Sequence, residues 1–197
     1  MSPHSARHAV LSEIDPFAKE TGDLLVVIET PKGSRNKYSY DPECDCMRLS
    51  TVLPEGMVFP YDFGFIPSTL GQDGDPLDVL VLMETSVMPG CVVRTKLVGV
   101  IEATQKEKGE DWVRNDRLVA IATHAQTHFT AKNLADLRPH LVEEIKEFFV
   151  DYNKLRKRKF KPRNEAGPRK ARELVEAGRK IFAKKHRKNG SKRRQVE

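Results

Sequence analysis

Between residues 24 and 123 the apolar positions come in short runs bounded by turn residues, whereas beyond residue 139 they recur every three or four positions. The first regime predicts strands over 24–29 (LLVVIE), 37–41 (KYSYD), 78–83 (DVLVLM) and 117–123 (RLVAIAT), with a shorter one at 47–50. Residues 91–103 predict a long strand or a bent pair, with Gly99 as a bulge. Residues 53–72 (LPEGMVFPYDFGFIPSTLGQ) are crowded with Pro, Gly and aromatics and read as a long loop, a feature that is usually functional inside a compact domain. The second regime predicts two helices. Leu141, Ile145, Phe148, Phe149, Tyr152 and Leu155 share one face of the first, with Pro139 near its start and Glu143 and Glu144 where the helix dipole favours acids. Leu174, Val175, Ile181 and Phe182 share a face of the second, over 169–185. Strands first and helices last predict an α+β fold, mainly β, with a small antiparallel barrel and flanking C-terminal helices.

A chain of 197 residues suits one compact domain. The formal charge of +6 conceals a division: residues 154–197 hold 19 Lys and Arg against 4 Asp and Glu, a net of +15, and the remainder carries −9. The body is therefore acidic, which disfavours a nucleic-acid-binding core and suits carboxylates gathered around cations. Residues 184–197 (KKHRKNGSKRRQVE) lack apolar periodicity, so we expect a single domain over 1–183 followed by a basic, disordered tail. No apolar run is long enough to span a membrane, and the start of the chain carries charged residues rather than a leader-like stretch, so the cytoplasm is expected. Cys44, Cys46 and Cys91 are odd in number and lack CxxC spacing, which argues against a disulfide framework or a zinc site.

The sharpest local feature is Asp73-Gly74-Asp75-Pro76-Leu77-Asp78. Three carboxylates in six residues repel one another and call for cations. They run straight into VLVLM, so they stand at the mouth of a core strand. Hard oxygen donors at this density suit magnesium, with manganese as the alternative. An Asp-Gly hairpin turn would explain Asp73 and Gly74 but not the other two acids. An EF-hand would need glycine where Asp78 stands.

This motif, followed by VLVL, resembles the signature of family I soluble inorganic pyrophosphatases. Other segments agree in order: VVIE ending at Glu29, Lys37-Tyr38, Arg48, FPYDFGFIP at 59–67, LVGV at 97–100, RLVAIA at 117–122 and FFVDYNKL at 148–155. The resemblance implies an OB-like five-stranded barrel with helices outside. It also implies magnesium-dependent hydrolysis of inorganic diphosphate to two orthophosphates through a metal-activated water, with several magnesium ions and a homo-oligomeric assembly. By the same resemblance Asp73 and Asp78 are metal ligands, Asp75 is the base for the attacking water, and Glu29 faces a further metal through water. Lys37, Arg48, Arg117 and Tyr152 hold the phosphates.

Five positions depart from the family's pattern. Gln105 and Asn115 stand where metal-binding aspartates are usual, leaving Asp116, and less directly Asp111, to supply the ligand. Ser39 replaces a glutamate, Phe63 a tyrosine that reaches the substrate, and Asn153 a lysine, with Lys154 one place on. A second reading follows: a relative that binds metal and phosphate but turns over slowly, or cleaves another phosphoanhydride. A nucleic-acid-binding OB-like domain is the weaker rival, because such domains need a positive groove with stacking aromatics.

Overall fold

The computed structural model of the chain describes residues 10–193, with side chains through Arg187. Its strands are β1 (Leu24–Thr30), β2 (Asn36–Asp41), β3 (Cys46–Val52), β4 (Asp62–Ile66), β5 (Leu77–Leu82), β6 (Val92–Lys106), β7 (Val113–Arg114), β8 (Arg117–Ala122) and β9 (Lys159–Ala166). The helices are α1 (Leu141–Leu155) and α2 (Pro168–Arg193).

Five strands close into a ring. The order β1-β4-β5-β8-β6 returns to its start because β6 also pairs with β1, Leu24 opposite Thr95 through Val27 opposite Val92. Every neighbouring pair is antiparallel except β5 and β8, which run parallel from Val79–Leu118 to Leu82–Ile121. The OB-like barrel is therefore present, and Val26, Ile28, Leu80, Leu82, Val100 and Leu118 are fully buried in its core. Closure explains the run-like pattern of the sequence. A strand with the barrel core on one side and helices or loops on the other buries both faces, so strict alternation disappears. The register of β6 against β8 slips between Leu97 and Gly99, which is the bulge expected at that glycine.

Three strands were not legible. Residues 53–72 are not all loop: β4 lies inside them with all five residues buried. Its aromatic, proline-flanked sequence mimics a loop, and Gly64 is there because a Cβ would lie 2.0 Å from the carbonyl oxygen of Val27. In β9 only Phe160 is buried, because this strand lies along β6 with its other face in solvent. Pro162 sits where that pairing shifts register, as proline at a sheet margin does. β7 is two residues long and forms the return leg of a hairpin with β6.

Helix α1 matches its expected span and turns Ile145, Phe149 and Tyr152 inward. Helix α2 extends beyond the 169–185 expected for it, running from Pro168 to Arg193, while residues 194–197 lie outside the described residues. Ala171 and Val175 of α2 are buried, and the N–H of Leu70 donates to the carbonyl of Gly178 at 3.1 Å, so the helix braces the loop that leads into β5. Among the described residues no helix is long and apolar enough to cross a membrane.

Candidate functional site

Parallel pairing places the site. With Val79 beside Leu118, Asp78 and Arg117 stand at the same end of adjacent strands, and Arg117 Nη1 lies 2.7 Å from Asp78 Oδ2. Arg117 is 4% exposed, stacks over the rings of Phe149 at 4.6 Å and Phe160 at 5.0 Å, and also donates to the Asn115 side chain. Its Nε has no hydrogen-bond partner among the described residues. The loop before β5 turns at Gly74, whose φ of +90° is a glycine conformation. There the N–H of Asp75 donates to Asp73 Oδ1 at 3.3 Å, and the Asp75 carbonyl accepts from the N–H of Gly71 at 2.7 Å.

The crowding has an electrostatic signature. Burial, then the Asp78 charge, pushes Asp73 up to about 6. Burial also raises Asp78, opposed by Arg117 and Lys37. Glu29, at the end of β1, is raised by burial, while Lys37 and the N–H of Tyr40 pull the other way. Its Oε1 accepts from Tyr40 at 2.7 Å and its Oε2 lies 3.6 Å from Lys37 Nζ. Lys37 Nζ in turn donates to Ser39 Oγ at 3.1 Å and lies 5.3 Å from the Phe63 ring. Carboxylates held in a state that resists ionisation are the groups a cation would stabilise.

These groups surround two chambers that share Lys37, Ser39, Asp75 and Asp78 as a partition. The front cavity, of about 430 Å³, adds Asp73, Arg117, Tyr152 and Asn153, together with Glu107, Glu110, Arg156 and Arg158. The rear cavity, of about 570 Å³, adds Glu29 and Tyr40 and is walled by Phe182 and His186 of α2. Among the described residues no three carboxylate, imidazole or thiol groups converge tightly enough to hold a metal by themselves. The donors are nonetheless all hard oxygens. Such a set fits an ion that takes one or two carboxylates and completes its shell with water and phosphate oxygens, the habit of magnesium.

Of the residues picked out by sequence, Asp73, Asp75, Asp78, Lys37, Arg117 and Tyr152 meet at the front cavity, and Glu29 lies behind the partition. The other three line neither chamber. Arg48 pairs across the hairpin with Ser39, but its guanidinium turns back to Asp41 at 2.6 Å and to Cys44 Sγ at 3.2 Å. Asp116 borders a smaller adjoining cavity with Asp73 and Asp78, and its oxygens accept from Arg114 Nε at 2.6 Å and from the N–H of Ala103 at 3.0 Å. Lys154 is exposed on the outer face of α1 and lines neither chamber.

Four residues were missed. Glu107 and Glu110 come from the β6–β7 hairpin, where three nearby acids compete and only the turn geometry chooses; Asp111 is the one left outside. Arg156 and Arg158 follow α1 in a basic run that reads as solvated charge.

The comparisons with known proteins agree with this geometry. The family model for inorganic pyrophosphatase matches residues 26–183. The inorganic pyrophosphatase of Synechocystis is 38% identical over 143 residues, 73% of this chain and 82% of its own length. That of Thermus thermophilus is 37% identical over 159 residues, 81% and 88% of the two chains. In structure, the Thermus thermophilus inorganic pyrophosphatase superposes with a TM-score of 0.80 at 31% identity, covering 89% of this chain and 99% of the other. The Helicobacter pylori inorganic pyrophosphatase gives 0.77 at 31% identity, covering 87% and 99%. Motif, barrel and acid–cation cavity coincide with a match over most of the sequence, and the chain belongs to the inorganic pyrophosphatase family.

Proposed function

We propose that this chain hydrolyses inorganic diphosphate to two orthophosphates with magnesium, manganese being the alternative ion. The observation that carries the reading is the meeting of Asp73, Asp75 and Asp78 with Lys37 and Arg117 in one cavity: acids for cations, and cations for phosphate. Asp73 and Asp78 would hold the metal, with Glu29 addressing a further ion from the rear. Bound there, the ion would neutralise phosphate charge and make a water acidic enough to attack near neutral pH. Arg117 offers a planar fork, fixed by the Phe149 and Phe160 rings, and Lys37 a point charge, so the anion is oriented before reaction. Tyr152 adds a hydroxyl. Asp75, exposed to the cavity and free of any ion pair among the described residues, accepts the proton of the attacking water. The new P–O bond forms as the bridging P–O bond breaks, and the leaving orthophosphate takes up a proton.

The reading includes a cytoplasmic, homo-oligomeric enzyme whose catalytic unit spans 1–183. A second reading, a slow relative or one acting on another phosphoanhydride, is favoured by the neutral groups at the hairpin. Asn115 is tied to Arg117 and to Gln105 Oε1 at 3.3 Å, so no carboxylate stands at either position. Phosphate release from diphosphate, tripolyphosphate and nucleoside triphosphates, with and without magnesium, decides between them. Magnesium-dependent release from diphosphate well above the others is expected. No release from diphosphate would refute the leading reading.

A further inference from the structure

The cations of the front cavity are not equivalent. Lys37 lies 3.6 Å from Glu29, Arg117 2.7 Å from Asp78, and Arg158 2.5 Å from Glu107. Arg156 has no carboxylate within ion-pair reach among the described residues. It donates instead to the neutral hydroxyl of Tyr152, and its guanidinium lies 5.5 Å from that ring. The side chain is half-buried. A guanidinium carries five N–H donors, so one hydroxyl leaves most of its donors for an anion.

The backbone shows how the side chain is delivered. Helix α1 ends with the N–H groups of Arg156 and Arg158 both donating to the carbonyl of Asn153, at 3.0 and 2.9 Å. Between them Lys157 takes a φ of +58°, a left-handed conformation that a lysine adopts only at a cost. The reversal turns Arg156 and Arg158 to the cavity and leaves Lys157 and Lys159 exposed. A cation at a helix C-terminus is favoured by the helix dipole on general grounds. The left-handed Lys157 is likewise an ordinary way to end a helix, its N–H and that of Arg158 closing on the carbonyls of Lys154 and Asn153. What singles out Arg156 is that its side chain lines the cavity wall with no carboxylate partner among the described residues.

We propose that Arg156 binds the outer phosphate of the substrate, supplying the cation that is missing at Asn153. The proposal rests on the diphosphate reading above. Asn153 cannot serve: it is 1% exposed and its amide donates to the carbonyl of Phe149 at 2.8 Å. Arg156 also sets the direction of a second donor. Because the Tyr152 oxygen accepts from Arg156, its own O–H is free to donate into the cavity, so the two groups act on one phosphate together.

The test is calorimetric titration of imidodiphosphate, a diphosphate analogue with a nitrogen bridge, in magnesium, beside steady-state hydrolysis of diphosphate. Losing a hydrogen-bond donor to a charged group predicts that Arg156→Ala weakens analogue binding and raises KM by about 10–100-fold. The loss in kcat should be smaller than the rise in KM. Arg156→Lys should recover part of the binding, and Lys159→Ala should bind like the parent. Tyr152→Phe should cost less in the Arg156→Ala background than alone, since the pair acts as a unit. Arg156→Gln keeps a donor to Tyr152 and guards against a folding artefact. Analogue binding as tight as the parent's in folded Arg156→Ala or Arg156→Gln overturns the proposal. A parent that binds the analogue through Arg156 yet releases no phosphate from diphosphate overturns the hydrolytic reading instead.

Discussion

The two walls of the front cavity are built differently. The inner wall, Lys37, Asp73, Asp75, Asp78 and Arg117, is carried on or just before strands of the closed ring and the hairpin against it, with Arg117 paired to Asp78 and Lys37 to Glu29 behind it. The outer wall comes from the β6–β7 hairpin and the end of α1. There the neutral Gln105, Asn115 and Asn153 lie among Glu107, Glu110, Arg156 and Arg158. On the proposed reading, the groups nearest the reacting atoms would be mounted where the backbone has little freedom. Grip on the far end of a substrate would tolerate rebuilding, because several side chains of one charge could reach the same phosphate.

The largest break in this comparison should come from the inner wall. Asp75→Asn should keep cation binding and lose about 10²–10⁴-fold in kcat, the range for removing a general base, measured by phosphate release beside magnesium titration. Near-parental turnover would remove Asp75 from the role. Arg117→Met should cost about 3 kcal/mol of stability in urea unfolding, because Asp78 loses the partner that offsets its burial. A smaller change than an exposed substitution gives would show that Asp78 is already neutral in the folded protein.

The outer wall should answer differently. Restoring the family's lysine by Asn153→Lys should not raise kcat/KM. The position is buried and bonded to Phe149, so the longer side chain should cost about 1–3 kcal/mol, as overpacking does, read from the thermal midpoint. A folded, faster enzyme would show that the helix end can open to admit the lysine.

The smallest effect concerns pH. Asp73 is raised from 3.8 to about 6, so between those values the folded state binds more protons than the unfolded state. In chelator, stability should therefore fall as pH rises from about 4 to about 6, and Asp73→Asn should flatten that slope. An unchanged slope in the variant would mean that the crowding is relieved without cations.

The inner wall was legible in the sequence because its physics is local. The acids of Asp73-Gly74-Asp75-Pro76-Leu77-Asp78 are adjacent, and the apolar run after them fixes where they emerge. Lys37 and Arg117 needed the family resemblance, since a single basic residue at a strand end carries no signal of its own. The outer wall was not legible because its positions depend on turns. Whether Glu107, Glu110 or Asp111 faces the cavity depends on hairpin geometry, and Arg156 is indistinguishable from Lys154 until the left-handed Lys157 reverses the chain. Asp116 shows the converse: a carboxylate at a plausible position was already engaged by Arg114 and a backbone N–H. The barrel followed from the order of elements, but β4 and β9 did not, one being too buried to alternate and the other too charged to look like a strand.

The closure of β6 on β1 has a consequence for how the protein comes to be. Thr95 Oγ1 donates to the carbonyl of Leu24 at 3.1 Å across 71 positions of sequence, and β5 meets β8 only after β6 has been laid between them. Contacts this distant are late in folding, because the loop entropy must be spent before they form. Until the ring shuts, Asp78 and Arg117 are strangers in the chain, and the acid triplet repels itself with no arginine at hand. On refolding from urea, recovery of near-native far-UV circular dichroism should precede recovery of phosphate release. Cations that recognise only the closed ring should deepen the native well by mass action. A divalent ion bound at the acidic cluster would then act as a selective trap for chains that have finished folding.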